Sequence, residues 1–173
     1  RVISEAVRTR KMLEEAARVE ETQTGEYIRP IVLIQAQPKD QPMTAQWVKQ
    51  HLIEAHKIDE KEIAIETGDI REVAAWGDLR KKECPVRFVI TVQALTEGWD
   101  CSFAYVLCSV AEIGTPRAVE QILGRVLRLP LATKKQRPEL NHAYAFVASS
   151  RFHEVAKTLQ DALVVEGGYD PFD

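Results

Sequence analysis

The chain has 173 residues, of which 45% are hydrophobic and 28% charged, and a formal net charge of −3. That length fits one domain, and the composition lies outside the disordered, collagenous and disulfide-scaffold classes. No apolar run approaches the roughly 20 residues needed to cross a bilayer and no basic-then-apolar leader opens the chain, so a cytoplasmic location without a membrane partner is expected.

Val2 to about Glu21 contains helix formers without Gly or Pro, with an irregular apolar stripe of Val2, Ala6, Leu13, Ala16 and Ala17. It predicts a helical arm over residues 1–25, broken at Thr22 to Gly25. The run Ile31-Val32-Leu33-Ile34 reads as a strand buried on both faces. Asp40 and Pro42 open a helical segment ending near Lys57, with Ala45, Val48, Leu52 and Ala55 at spacings of three and four. Ile63 to Ile65 predicts a second strand, Ile70 to Leu79 a short helix, and Val86 to Val92 a third strand. Ala104 to Val110 follows as a fourth strand, Pro116 to Leu129 as a helix, and His142 to Ala148 as a fifth strand. Arg151 to Leu163 then places Phe152, Val155, Leu159 and Ala162 on one helical face. Strands alternating with helices imply βαβ units, and hence an α/β fold with a mostly parallel sheet covered on both sides. Ligands of such sheets bind at the carboxyl ends of the strands.

The helix at residues 116–129 has a distinctive polar face. An advance of about 100° per residue groups Arg117, Gln121, Arg125 and Arg128 on one side, with Val119, Ile122, Leu123, Val126 and Leu127 opposite. Thr115 suits its cap and Pro116 its first turn. Gly124 in mid-helix costs about 1 kcal/mol relative to Ala, which close approach of a ligand or another backbone would offset. The plain alternative is an amphipathic helix whose arginines face water.

The spacing Gln-x-x-Gly-Arg-x-x-Arg at Gln121, Gly124, Arg125 and Arg128 resembles motif VI of superfamily 2 helicases. The run VRFVITVQALTEGWD, residues 86–100, resembles their motif V, and Ile34-Gln35-Ala36-Gln37-Pro38 occupies the place of motif IV. The wording LIQAQP, ITVQALTEGWDC and QILGRVLRLP is most similar to the helicase (Res) subunit of type III restriction enzymes. The motif V loop lacks the acidic residue that DEAD-box proteins place after their threonine, which separates it from that branch.

The resemblance implies a RecA-like three-layer domain over residues 26–165, following the N-terminal helix and followed by a tail at 166–173. The activity implied is that of the second motor domain of an ATP-dependent DNA helicase or translocase. Arg125 and Arg128 would be the catalytic arginines; Gly98, Asp100, Gln121 and Gly124 would lie at the nucleotide; Gln35, Gln37, Thr91 and Gln93 would touch the nucleic-acid backbone. Arginine suits its role because its fixed fork of donors holds phosphate oxygens. ATP and Mg²⁺ would be bound jointly with an N-terminal RecA-like domain of the same protein, since no G-x-x-x-x-G-K-[ST] loop occurs in the chain. DNA is the expected partner, with a modification subunit as a further one. Other readings are an RNA helicase domain and a non-catalytic RecA-like module that binds proteins. The chain opens at Arg1 inside a helical pattern, as a piece of a longer protein would.

The remaining candidates are weaker. Cys84, Cys101 and Cys108 form no CxxC pair and are expected as reduced thiols, with no metal site. Asp59-Glu60-Lys61-Glu62 looks like an acidic Mg²⁺ motif but follows a helix end instead of a strand. Lys134, Lys135 and Arg137 form a basic loop that could touch phosphates or simply face water. His142 with Cys108 has the composition of a base and a thiol nucleophile, though both sit in expected strands. Trp47, Trp76 and Trp99 could stack bases, with Trp47 and Trp76 expected in packing roles.

Overall fold

The computed structural model describes residues 1–92, 101–111 and 133–148, together with Arg117 and Glu154. The order is α1 (Val2–Thr24), β1 (Ile31–Gln35), α2 (Ala45–His56), β2 (Ile63–Ile65), α3 (Glu72–Trp76), β3 (Phe88–Thr91), β4 (Ala104–Ser109) and β5 (Tyr144–Val147). The five strands form one sheet in the order β2-β3-β1-β4-β5, and every pairing is parallel. Every residue of β3 and β4, and all of β1 but Gln35, is buried, so both faces of the sheet centre are covered. The expected α/β class, parallel sheet and N-terminal helix are all present.

Handedness distributes the helices. From β1 the chain crosses to β2 at one edge, then returns to β3, and right-handed crossovers put α2 and α3 on opposite faces. The N-terminal helix α1 packs along β4, β5 and β1. Its inner stripe is Ile3, Ala6, Val7, Arg10, Leu13, Ala16, Ala17 and Glu20. This spacing is regular at three and four, and the stripe looks irregular in sequence because charged Arg10 and Glu20 complete it. Ile3, Ala6, Leu13 and Ala17 belong to the same core cluster as the sheet, so the helix expected as an arm is a wall of the core.

Each buried charge among the described residues has a partner. Arg10 pairs with Glu14 at 3.1 Å, lies over the Phe88 ring and donates to the Pro30 carbonyl. Glu14 also receives Arg87, which reaches Glu62 on its other side. Arg29, only 3% exposed, donates to the carbonyls of Val86 (2.7 Å), Lys81 (3.1 Å) and Leu79, and lies over Tyr27 and Phe103. It holds the irregular chain between α3 and β3 in place with carbonyls alone.

Helix ends differ from expectation for local reasons. Thr22 and Thr24 do not break α1, because their hydroxyls bond back to the Arg18 and Glu20 carbonyls. The stop is Gly25, at φ 80°, where a side chain would be strained. Asp40 and Pro42 lie in a turn before α2. The helix starts at Ala45, with the Thr44 hydroxyl accepting from Trp47 N at 3.2 Å.

Candidate functional site

Three strand ends meet at the carboxyl edge of the sheet. β1 lies between β3 and β4, and Gln35 is in register with Thr91 on one side and Ser109 on the other. The backbone ladder continues one step past each strand: Ala36 N donates to Thr91 O at 2.7 Å and Val110 N to Gln35 O at 3.1 Å. Chain order hangs the segment with Gly98 and Asp100 from the end of β3, and the arginine segment from the end of β4. In chain order, the segment with Gly98 and Asp100 and the arginine segment therefore follow the two strands that flank β1, whose end carries Gln35 and Gln37.

The two glutamines expected at this edge are there, and both are tied to backbone. Gln35 Nε2 reaches the Val92 carbonyl at 3.5 Å, across toward β3. Gln37 Nε2 donates to the Val110 carbonyl at 3.1 Å, across toward β4, while its Oε1 accepts from Met43 N at 2.9 Å. The Gln37 and Met43 backbones also join, N to O, at 2.8 Å, closing the turn that leads into α2. Both side chains are half-buried, and Thr91 is buried. Gln93, Gly98, Asp100, Gln121, Gly124, Arg125 and Arg128 lie outside the described residues, as does Trp99. Arg117 is helical and exposed.

Ser109 had no place in the sequence reading. It is fully buried, and its hydroxyl donates to Ala111 O at 3.1 Å and accepts from Ala111 N at 3.3 Å. The signal for it was a small polar residue closing an apolar strand at the ligand-binding end. At the outer edge, Glu66 at the end of β2 accepts from Val73 N and Ala74 N, and Ile65 N donates to the Glu72 carboxylate. These two carboxylates are consumed in capping α3 and β2.

The basic run Lys134 to Arg137 is mostly docked against the protein instead of turned to water. Lys135 is buried and pairs with Glu26 at 2.6 Å, and its backbone is clamped by Asn141. The carboxylate of Glu20 accepts from Gln136 N at 3.1 Å and Arg137 N at 2.8 Å, while Arg137 pairs with Glu139. Carboxylates from α1 and the turn beyond it dock this loop, and Lys134 alone of the three cations is exposed.

Other weak candidates resolve as well. Asp59 caps a 3-10 turn over Glu60–Glu62, with Glu60 on Lys49 and Glu62 on Arg87, so the acidic run is structural. No cluster of three or more His, Cys, Asp or Glu able to hold a metal occurs among the described residues. Burial pushes the Cys108 thiol up to about 12 and Cys101 to about 11, so neither supplies a thiolate near neutrality. Trp47 and Trp76 are 41% and 37% exposed, against the packing role expected of them. Trp47 stacks on His51, one turn along α2, at 4.9 Å and 8°. His51 meets His56 edge to face, and burial, then the charge of His51, lower the His56 pKa. Among the described residues no helix is long and apolar enough to cross a membrane.

No family model and no curated protein matches the chain. Among solved structures it is similar to a variant C-terminal domain of S. cerevisiae Dbp5 bound to a Gle1 variant and IP6. The identity is 16% and the TM-score 0.43, over 90% of this chain and 82% of that one. The functional reading therefore rests on the chain's own motifs and on the strand ends that carry them.

Proposed function

We propose that this chain is the second RecA-like motor domain of a superfamily 2 nucleic-acid helicase or translocase. The observation that supports it is positional. The Glu-Gly-Trp-Asp segment and the Gln-x-x-Gly-Arg-x-x-Arg segment leave the carboxyl ends of β3 and β4, the two strands flanking β1, in an all-parallel sheet. That edge is where open α/β sheets bind ligands. A polar face of arginines serving only to meet water has no reason to be rooted there.

In this reading ATP and Mg²⁺ are held between this domain and a first motor domain that carries the phosphate-binding loop. Arg125 and Arg128 approach the γ-phosphate across the domain gap and stabilise the charge of the transferring phosphoryl group. Asp100 orients them or accepts from the ribose, Gly98 lets the backbone approach, and Gln121 and Gly124 line the same face. Gln35, Gln37, Thr91 and Gln93 form the edge that faces the nucleic acid, whose backbone is gripped without reading bases. Within the superfamily the wording favours the Res subunit of type III restriction enzymes, with DNA as substrate and a modification subunit as partner.

The test is ATP turnover by the full-length protein with and without nucleic acid. Arg128→Ala lowers stimulated kcat by about 10³-fold or more, as expected for an arginine completing the site in trans, while leaving the fold intact. Unchanged turnover in that variant refutes the motor reading. Parallel titrations with DNA and RNA of the same sequence assign the substrate.

A further inference from the structure

Gln37 stands in the place of a nucleic-acid contact, yet both ends of its amide are already spoken for. Met43 N–H can meet only an oxygen, and the Val110 carbonyl can meet only an N–H, so the network itself fixes which way the amide points. One side chain thereby bridges two chain segments 73 residues apart. The first is the turn into α2, closed a second time by the Gln37–Met43 backbone bond. The second is the root of the segment carrying Arg117, Gln121, Arg125 and Arg128. From the β4 side, the buried hydroxyl of Ser109 fixes Ala111 at both its N–H and its carbonyl.

We infer that Gln37 is a positioning residue for the arginine segment: its amide locks the exit of β4 to the α2 turn, and so sets where the catalytic arginines leave the sheet. The inference rests on the motor reading and narrows it, for it moves Gln37 from substrate contact to transition-state geometry. A phosphate contact needs a donor free to turn toward the anion. Here the donor is aimed into the protein at the Val110 carbonyl, one residue past the end of β4. Gln35 makes the equivalent tie on the β3 side, but at 3.5 Å it is the weaker of the two.

Substitutions that separate donor from acceptor decide between the roles. In the full-length protein, Gln37→Glu keeps an acceptor for Met43 N but sets a carboxylate against the Val110 carbonyl. Gln37→Lys keeps the donor and adds positive charge. The expected result for Gln37→Glu is a fall in nucleic-acid-stimulated kcat of about fivefold to tenfold, the loss of one hydrogen bond where the segment leaves β4. The nucleic-acid concentration giving half-maximal stimulation stays unchanged, and amide exchange across residues 110–117 becomes faster. Gln37→Lys restores most of the kcat and the slow exchange. If instead Gln37→Glu weakens nucleic-acid binding with kcat and exchange intact, and Gln37→Lys tightens binding, Gln37 contacts phosphate and the inference falls. Unchanged exchange at 110–117 in Gln37→Glu overturns it whatever the ATPase does. Failure of the motor reading itself shows separately, in the response to Arg128→Ala.

Discussion

Arg29 offers the sharpest test of how this fold is held, because a guanidinium that is 3% exposed is matched, among the described residues, by three carbonyls, the Tyr27 hydroxyl and aromatic faces instead of a carboxylate. Arg29→Met preserves length and apolar contact with Tyr27 and Phe103 while removing all three donors. Each hydrogen bond from a charged donor contributes about 1.5–3 kcal/mol, so three amount to at least about 4.5 kcal/mol. Against that, the variant recovers part of the cost of stripping water from the cation. The Leu79, Lys81 and Val86 carbonyls are left without the donor they have now. The balance is a loss of about 3 kcal/mol, roughly a hundredfold in the folding constant. Arg29→Lys retains a charge but cannot fork to three carbonyls, and should lose about 2 kcal/mol. Urea denaturation measures both, and hydrogen exchange should quicken first in residues 79–87. A loss below about 0.5 kcal/mol in Arg29→Met would show that the carbonyls find water or other donors readily, and would refute the assignment of Arg29 as the organiser of this segment.

Two further outcomes follow from buried groups. Glu20→Ala strips the shared acceptor from Gln136 N and Arg137 N and should cost about 2–3 kcal/mol, while Glu20→Gln keeps one acceptor and loses about half as much. Exchange of those two amides, compared between variants, checks it: no acceleration in Glu20→Ala means the loop is held by Lys135 and Asn141 alone. At alkaline pH, stability should fall. Burial raises the thiols of Cys101 and Cys108 above their ordinary 9.0, and raises the Tyr105 phenol, whose hydroxyl has no hydrogen-bond partner. The unfolded chain ionises these groups first, so their stabilisation is complete below pH 9.0 and is lost as pH rises toward about 11 for Cys101 and about 12 for Cys108. A thermal midpoint followed from pH about 8 to about 11 should drop, and drop less in Cys108→Ala paired with Tyr105→Phe; equal slopes in both proteins would contradict it.

Much of the layout was legible along the chain because it depends on local pattern. Runs of three to five apolar residues at Ile31–Ile34, Phe88–Ile90 and Ala104–Cys108 can be satisfied only in strands covered on both faces, and helical spacing between strands dictates parallel pairing. Gln35 and Gln37 were singled out through the resemblance of residues 34–38 to motif IV, and local pattern alone marks them only as the polar end of a buried strand. Trp47 and Trp76 were misjudged because hydrophobicity alone does not say which face of a short helix meets the sheet.

The sequence by itself determined the fold class and, among the described residues, the order of strands and helices, since each follows from periodicity and spacing over a few neighbouring residues. Only the tertiary structure decided where the charges went. Nothing in the local pattern marks Arg10, Glu20, Arg29 and Lys135 as interior; they are buried because a carboxylate, a carbonyl or, for Glu20, backbone N–H groups from elsewhere in the chain meet each one. Lys135 and Glu26 are 109 residues apart, Arg29 and the Leu79 carbonyl 50, and Gln37 and the Val110 carbonyl 73. The desolvation of a polar group is tolerable only when its partner is in place, and no local pattern announces a partner so distant along the chain.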